Sequence, residues 1–311
     1  MTRVLPGHSG ASAIEDVVAR IADWRGKSIA VHALTNGLTN TNYRVDVEGT
    51  PFVVRIPGAS TELLAVDRQN EYHNTLIAAQ VGVGAKVAHY LPDTHVMILE
   101  FIHGRTMSNA DLQAPGMPSR IARSLRVLHA GQRFFSDFSM FRLVDFYLET
   151  VARHDIRIPD SYRDRLPAIR RIERALAARP LPTAPCHNDL LADNYIDDGH
   201  LLRLVDYEYS GNNDPAFELG NTCQELLYDE PRITELCVAY FGAASPRLLA
   251  RVKLNMIVSD VGWTLWAAIQ TRISRIAFDF WGYGVNRWGR AEANIDSPEF
   301  PVWLEAVQGP G

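Results

Sequence analysis

Residues 185–196 read PCHNDLLADNYI, and residues 204–209 read LVDYEY. The first stretch places the carboxylate of Asp189 five residues before the amide of Asn194. The second returns a carboxylate, Asp206, to the same place after a β-like pair around residues 194–196 and 202–205. Phosphoryl transfer requires a carboxylate that orients the attacking hydroxyl and accepts its proton, and oxygen ligands that hold magnesium against the phosphate. The spacing therefore favours a phosphoryl-transfer centre with Asp189 as the base and Asn194 and Asp206 as metal ligands.

The sequence on either side of this motif predicts two structural parts. Short β-rich runs lie at residues 29–34, 42–47, 52–56, 87–91 and 96–102, with helical patterns at 11–24 and at 64–80, after the third run. Helical patterns then dominate, at 118–130, 144–154, 161–178, 215–228 and 255–278. This order predicts an α+β, bilobal fold, with a small antiparallel-sheet lobe (residues 1–102) followed by a larger, mainly helical lobe (residues 103–311).

The bulk composition is typical of an ordinary globular enzyme. The 311-residue chain is 47% hydrophobic and 22% charged, and no apolar run approaches the roughly 18 residues that span a bilayer. The N-terminus lacks the hydrophobic stretch of a secretory signal. Three scattered cysteines argue against a disulfide framework or zinc site and favour a reducing, cytoplasmic compartment. The net charge of −5 argues against a general nucleic-acid binder; the oligomeric state is left open.

On the pattern His-Asn-Asp-x4-Asn followed by Asp-x-Glu, the chain resembles the aminoglycoside phosphotransferase and choline/ethanolamine kinase superfamily, which shares the protein-kinase fold. The resemblance extends from about residue 34 to about residue 288. Three stretches resemble the choline kinase branch: NGLTN at 36–40, VVRIPG at 53–58 and WTLW at 263–266. The resemblance implies a bilobal kinase that uses ATP and Mg²⁺.

The resemblance also implies a nucleotide site in the N-terminal lobe. Arg55 stands where the wider fold usually has a phosphate-contacting lysine, and arginine would bind phosphate as a fork. Glu71 is the expected ion-pair partner of Arg55. The proposed phosphate loop and the hinge that would bond adenine contribute Asn36, Gly37, Thr39, Asn40, Glu100 and Ile102. An ordinary hairpin turn, an exposed strand arginine and a solvent-facing Glu71 are the alternatives.

The acceptor site is expected to use aromatic rings, because a quaternary ammonium cannot donate hydrogen bonds and relies on aromatic faces and carboxylates. Trp263 and Trp266 lie three apart on a predicted helix and so share a face. The resemblance assigns to this site Asp189, Tyr209, Glu225, Trp263, Trp266, Phe280 and Tyr283. The alternative is that the rings are plain hydrophobic core.

Several residues depart from the choline kinase pattern or support the motif. Glu230 replaces an aromatic residue and Phe280 a tyrosine, and a cage with one more carboxylate would suit a primary amine or another cation.

Glu218 replaces the usual aspartate and is expected to brace the catalytic loop. His187 is expected to be a structural hydrogen-bonding residue. Glu208 is assigned to the support of a second metal or of the loop, with an exposed turn residue as the alternative.

The leading hypothesis is transfer of the ATP γ-phosphate to a small cationic alcohol, with choline or ethanolamine first. Thiamine and aminoglycoside-like amino alcohols are alternative acceptors, since the same loop serves them. A catalytically inactive nucleotide-binding relative is a second alternative, which the intact Asp189, Asn194 and Asp206 oppose. A metal-dependent hydrolase built on His187, Asp189 and Asp206 would need further clustered ligands, and the other histidines are scattered.

Overall fold

The N-terminal part of the chain is built on a five-stranded antiparallel sheet. The computed structural model describes residues 10–34, 39–58 and 61–309. The strands are β1 (Ile29–Leu34), β2 (Thr41–Val47), β3 (Thr50–Ile56), β4 (Val87–Leu91) and β5 (Val96–Glu100). They lie in the order β1-β2-β3-β5-β4, and all pairs are antiparallel. The predicted sheet is thus confirmed, as is the helix inserted after its third strand.

One face of the sheet packs against the N-terminal helix. Side chains of β2 alternate between faces, so that Tyr43, Val45 and Val47 are buried together. Helix α1 (Gly10–Arg20) and the 3-10 turn Ala22–Trp24 add Ile14 and Trp24 to the same cluster. The predicted helix at 11–24 therefore ends earlier than expected and continues as a 3-10 turn.

The helix predicted at residues 64–80 is also interrupted. A 3-10 turn, Thr61–Leu64, precedes helix α2 (Arg68–Gln80). The carboxylate of Asp67 accepts the backbone N–H groups of Gln69 at 2.9 Å and Asn70 at 3.1 Å. Since an aspartate cap satisfies the free N–H groups at a helix start, α2 begins here and not at residue 64.

Helices dominate the remainder of the chain. They are α3 (Asn109–Leu112), α4 (Met117–His129), α5 (Met140–Arg153), α6 (Leu166–Ala178), α7 (Pro215–Glu225), α8 (Glu230–Phe241), α9 (Pro246–Ile273), α10 (Phe280–Ile295) and α11 (Glu299–Ala306). Helices α3, α8, α10 and α11 are absent from the sequence prediction. None of the described helices combines the length and apolar character that crossing a bilayer requires.

Helix α9 forms the centre of this helical part. Every residue from Ile257 to Gln270 is buried. Helix α7 approaches it so closely that a Cβ added to Gly220 would lie 2.9 Å from backbone atoms of Asn255 and Met256. A glycine is therefore needed for this contact, which brings α7 against the part of α9 that carries Trp263, whose Nε1 donates to Oδ1 of Asn221 at 2.9 Å.

Short strands lie on either side of the predicted catalytic motif. They are β6 (Arg105–Thr106), β7 (Ala184–Cys186), β8 (Tyr195–Asp197), β9 (Leu202–Leu204) and β10 (Gly211–Asn213). Strand β8 pairs with β6 and β9, and β7 pairs with β10. Residues 187–194 thus connect β7 to β8, and Asp206 lies between β9 and β10.

Candidate active site

The loop between β7 and β8 is held in a tight conformation by its own side chains. Asn188 has a positive φ of 69°, which asparagine tolerates better than most residues. Its side-chain amide donates to the backbone carbonyls of Tyr209 at 3.0 Å and of Cys186 at 3.3 Å. These contacts fix the start of the loop immediately before Asp189.

Glu218 of helix α7 braces the same loop. Its Oε1 accepts the backbone N–H groups of His187 at 2.8 Å and Asn188 at 3.1 Å. Its Oε2 contacts Nε2 of His129 on α4, at 2.5 Å. Burial alone would raise the pKa of Glu218, but the hydrogen bond with His129 lowers it below its usual value. The glutamate therefore supports the loop as expected, with His129 as an unforeseen partner.

Both ring nitrogens of His187 are occupied by the backbone. Nε2 donates to the carbonyl of Val205 at 2.8 Å, and Nδ1 accepts the N–H of Asp189 at 3.3 Å. Burial lowers the pKa of His187, so the ring is neutral near pH 7. The geometry agrees with a structural role for His187.

Asp189 and Asn194 are joined through the loop backbone. The amide nitrogen of Asn194 donates to the carbonyl of Asp189 at 2.8 Å, which leaves the amide oxygen as the remaining acceptor. The carboxylate of Asp189 accepts no hydrogen bond within the described ranges. Burial and the nearby charge of Asp206 raise the pKa of Asp189 to about 7, while Arg287 acts in the opposite direction.

Asp206 lies opposite Arg55 of β3. Two N–H groups of Arg55 reach its carboxylate, Nη1 at 3.1 Å and Nη2 by a shorter contact. Burial alone would raise the pKa of Asp206, but Arg55 lowers it below its usual value. Asp206 itself has a positive φ of 72°, an uncommon conformation for a residue other than glycine.

Arg55 also makes its predicted ion pair. Its Nε donates to Oε1 of Glu71 at 2.7 Å, and both side chains are buried, so the exposed alternatives for these two residues are wrong. Burial by itself would lower the pKa of Arg55, yet Asp206, Glu71 and Glu208 together raise it.

A second arginine, Arg68, joins this charged group. Its Nη1 contacts Oε2 of Glu71 and Oε1 of Glu208, each at 2.6 Å. The amide nitrogen of Asn40 donates to the same oxygen of Glu208 at 2.6 Å. Glu208 is buried rather than exposed, and burial together with Asp206 raises its pKa to about 7. Single oxygens of Glu71, Asp206 and Glu208 lie within 4.8 Å of one another, so two arginines face three carboxylates.

A cavity of about 480 Å³ opens beside this group. Its lining includes the apolar side chains of Val53, Ala85, Met97 and Leu99, and at its polar end Arg55, Asn194 and Asp206. Glu100 and Ile102, the predicted hinge residues, also line the cavity. Such a mainly apolar slot with a few converging polar groups is typical of a small-molecule site.

The predicted phosphate loop is only partly within the described residues. Asn36 and Gly37 lie outside the described residues. Thr39 is half-buried, and its carbonyl would lie 2.0 Å from a Cβ added to Gly58. This close approach requires a glycine and holds the end of the loop against the end of β3.

The aromatic residues assigned to the acceptor form a continuous chain of ring contacts. Tyr209 and Trp263 have ring centroids 4.9 Å apart, and Trp263 and Trp266 are 6.2 Å apart. Trp266 contacts Phe280 at 5.8 Å and Tyr283 at 6.3 Å. Burial raises the pKa of both Tyr209 and Tyr283, and the charge of Asp189 contributes in the same direction. The rings also pack with the large hydrophobic core, as the alternative interpretation expected, and their role in binding an acceptor stays a prediction.

The expected extra carboxylate is not part of this aromatic group. Glu230 lies at the start of α8 with its side chain 67% exposed, and it pairs with Lys253 at 2.7 Å. The expectation that Glu230 adds a carboxylate to the cage is wrong, because the N-terminus of α8 directs this side chain to the surface. The carboxylate that the sequence analysis assigned to the acceptor site is that of Glu225, at the end of α7. It lies near Tyr283, since both residues contact Arg287.

Two arginines of the site were missed by the sequence analysis, although helical spacing could have revealed both. Arg68 lies three residues before Glu71 on α2, and Arg287 lies four residues after Tyr283 on α10. Residues three or four apart share a helix face. Helix α10 was not predicted, however, so this spacing was not applied to Arg287.

Comparison with known proteins places the chain in a family. Residues 31–237 match the model of the family described as choline/ethanolamine kinase. Ethanolamine kinase 2 of Rattus norvegicus is 28% identical over 89% of this chain and 80% of its own length. The crystal structure of a choline/ethanolamine kinase family protein from Mesorhizobium loti is 35% identical, covers 96% of this chain and 99% of that protein, and has a TM-score of 0.84.

A more distant structure has the same fold. The choline kinase LicA of Streptococcus pneumoniae is 23% identical, with a TM-score of 0.79 over 91% of this chain and 99% of that protein. The protein-kinase-like, bilobal α+β architecture predicted from the motif is therefore confirmed. On the family match, the close structural relative and the catalytic-loop geometry together, this chain belongs to the choline/ethanolamine kinase family and is a small-molecule kinase.

Proposed function

We propose that this kinase transfers the γ-phosphoryl group of ATP to the hydroxyl of choline or ethanolamine, with Asp189 as the base. The observation that carries the proposal is the proximity of Asp189 to two groups of side chains. The charge of Asp206, at the polar end of the cavity, adds to the burial that raises the pKa of Asp189, and the charge of Asp189 adds to the burial that raises the pKa of Tyr209 and Tyr283 in the aromatic group. A hydroxyl beside Asp189 would thus have phosphate on one side and the cation-binding rings on the other.

The cavity is proposed to bind the nucleotide. The base would lie against Val53, Ala85 and Leu99, with hydrogen bonds to the hinge backbone at Glu100 and Ile102. Arg55 would contact the phosphates, with Glu71 orienting its guanidinium. The loop residues Asn36, Gly37, Thr39 and Asn40 would complete the phosphate site. A crystal structure of LicA in complex with AMP supports nucleotide binding by this fold.

The residues at the polar end of the cavity fit a magnesium ion. The amide nitrogen of Asn194 is bonded to the Asp189 carbonyl, so the amide oxygen is the atom that can accept, and Asp206 supplies an ionised carboxylate. Hard oxygen donors of this kind are the ligands that Mg²⁺ prefers. Asn194 and Asp206 would hold the ion, and bound Mg²⁺ would neutralise charge on the phosphates.

The chemical step requires a proton acceptor at the hydroxyl of the acceptor molecule. The hydroxyl oxygen forms a bond to the γ-phosphorus while the bond from that phosphorus to the ADP oxygen breaks, and the hydroxyl proton passes to Asp189. Glu225 and the rings of Trp263, Trp266, Phe280 and Tyr283 would hold the cationic nitrogen. We place choline first, because aromatic faces dominate this group and a quaternary ammonium depends on them.

Coupled measurement of ADP release tests this function. We expect ADP formation that requires both Mg²⁺ and choline or ethanolamine, and that falls to background in Asp189→Ala. Stimulation by thiamine, an aminoglycoside or a sugar instead of the amino alcohols would contradict the proposed acceptor but not the reaction. Equal background rates in wild type and Asp189→Ala would contradict the kinase chemistry itself.

A further inference from the structure

A buried charged cluster lies beneath the aromatic group, where helices α7, α9 and α10 meet. Arg287 is 1% exposed, and its Nη1 donates to Oδ1 of Asp260 at 2.9 Å. Its Nη2 pairs closely with Oε1 of Glu225. Its guanidinium carbon lies 4.8 Å from the centroid of the Tyr283 ring. One side chain thus contacts both a carboxylate and a ring that the proposed function assigns to the acceptor.

Asp260, at the base of this cluster, has two further partners. Arg290 donates to it twice, from Nε at 3.0 Å and from Nη2 at 2.6 Å, and the side-chain amide of Gln224 also donates to it. The two carboxylates and two guanidinium groups balance in charge. Arg290 is 26% exposed, and its ion pair within the described ranges is with Asp260. Arg287 is therefore the inner partner of Asp260, and Arg290 is the outer one.

The burial of Arg287 requires a physical reason. Removing a guanidinium from water costs several kcal/mol unless carboxylates and hydrogen bonds compensate for it, and apolar packing of similar volume often gives equal stability. An ion pair to Glu225 does something that apolar packing cannot do, because it holds a flexible carboxylate in one orientation. A preorganised charge binds a cation better, since less side-chain entropy is lost on binding.

We propose that Arg287 is a positioning residue for the acceptor: it holds the Glu225 carboxylate and one face of the Tyr283 ring in the arrangement that receives the cationic nitrogen. This inference rests on the proposed function. It predicts that Arg287 affects acceptor binding and leaves nucleotide binding unchanged, since its contacts lie among α7, α9 and α10 and not among the residues that line the cavity.

Matched glutamine variants of the two arginines test the proposal. Arg287→Gln should raise the KM for choline and ethanolamine at least tenfold and leave the KM for ATP within twofold of wild type. Arg290→Gln removes the outer partner of the same Asp260 and should change the KM of either substrate by less than twofold. Choline binding in the absence of ATP can be followed by quenching of tryptophan fluorescence, because Trp263 and Trp266 lie in the aromatic group. The affinity for choline should fall in Arg287→Gln and stay close to wild type in Arg290→Gln.

An acceptor KM that is unchanged in Arg287→Gln, or raised equally in both variants, would overturn the positioning role. If Arg287→Gln does not fold, the Arg287→Lys variant tests the positioning role instead. Lysine keeps the charge but lacks the planar fork that bridges two carboxylates. This variant should raise the acceptor KM several-fold with the KM for ATP unchanged, and an unchanged acceptor KM would again overturn the proposal. A wild type that no amino alcohol stimulates refutes the proposed function instead, so the two failures are distinguishable.

Discussion

At the scale of single residues, the protonation state of Asp189 leads to the first testable prediction. Burial and the charge of Asp206 raise the pKa of this carboxyl to about 7. An acid whose pKa is raised keeps its proton to a higher pH, so the form of Asp189 that can accept a proton is depleted below about pH 7 and dominates above it.

We therefore expect kcat/KM for choline to rise with pH through a midpoint near 7 and then level off, because this ratio reports the free enzyme. Choline suits the measurement, since its quaternary nitrogen does not titrate. The residual rate of Asp189→Asn should lack this transition. A wild-type profile that stays flat to the acid limit of stability would contradict the role of Asp189 as base.

Arg55 gives a second prediction at this scale. Arg55→Gln should lower the free energy of unfolding by about 3 kcal/mol or more, because breaking a buried ion pair leaves its carboxylate partners uncompensated. It should also raise the KM for ATP roughly tenfold, as expected for the loss of one charged hydrogen-bonding contact. Urea unfolding and steady-state kinetics measure the two effects.

The control is Arg142→Gln on helix α5, whose side chain is 62% exposed and pairs with Asp145 at 2.9 Å. Exposed ion pairs contribute about 0–1 kcal/mol, so this variant should remain close to wild type in stability and KM. If both variants lost the same free energy of unfolding, burial would not increase the contribution of the Arg55 ion pair to stability.

At the scale of elements, the contact between α7 and α9 holds α7, which carries Glu225, against the part of α9 that carries Trp263. Gly220→Ala should destabilise the protein by about 1–3 kcal/mol, because the added methyl group overpacks against backbone atoms that cannot move cheaply. The melting temperature should fall, and the KM for the acceptor should rise because α7 carries Glu225.

Gly289→Ala on helix α10 is the matched control. No atom lies within 4 Å of a Cβ added at Gly289, and alanine is the better helix former by about 0.8–1.0 kcal/mol. This variant should therefore be as stable as wild type or slightly more stable. If Gly220→Ala behaves like Gly289→Ala, the close approach of the two helices is not needed for the fold.

At the scale of the whole molecule, the N-terminal sheet and α2 are tied to the C-terminal part by polar contacts around residues 203–210. Arg55 reaches Asp206, and Arg68 and Asn40 both reach Glu208. The amide of Asn70 on α2 donates to the carbonyl of Ser210 at 2.9 Å. The division into lobes at residue 102 stays a prediction, and these contacts describe how the two parts meet beside the cavity.

Because the proposed substrates bind on either side of Asp189, their binding should stabilise the whole protein. In a thermal-shift screen with MgADP, choline or ethanolamine at about 100 times its Kd should add about 2.7 kcal/mol of stability. The resulting rise in melting temperature should be several degrees for a chain of this length. Asp189→Asn should retain the shift produced by MgADP alone. No further shift from any amino alcohol would contradict the proposed acceptor class.

The sequence by itself predicted the phosphoryl-transfer motif, because Asp189, Asn194 and Asp206 belong to two short segments whose spacing can be read directly from the chain. It also determined the five-strand sheet, since alternating burial in runs such as residues 42–47 is visible in the residue pattern. Trp263 and Trp266 were predictable as a pair for the same reason, since a helix face depends only on spacing.

Only the tertiary structure decided which distant groups meet. The contacts of Arg68 with Glu208, of His129 with Glu218, and of Arg287 with Glu225 join residues from different elements, and a buried charge gives no signal in the sequence when its partner is far along the chain. The surface position of Glu230 likewise depends on where α8 begins. The local sequence pattern thus indicates the type of reaction, whereas the environment that raises the pKa of Asp189 and forms the proposed acceptor site arises from packing.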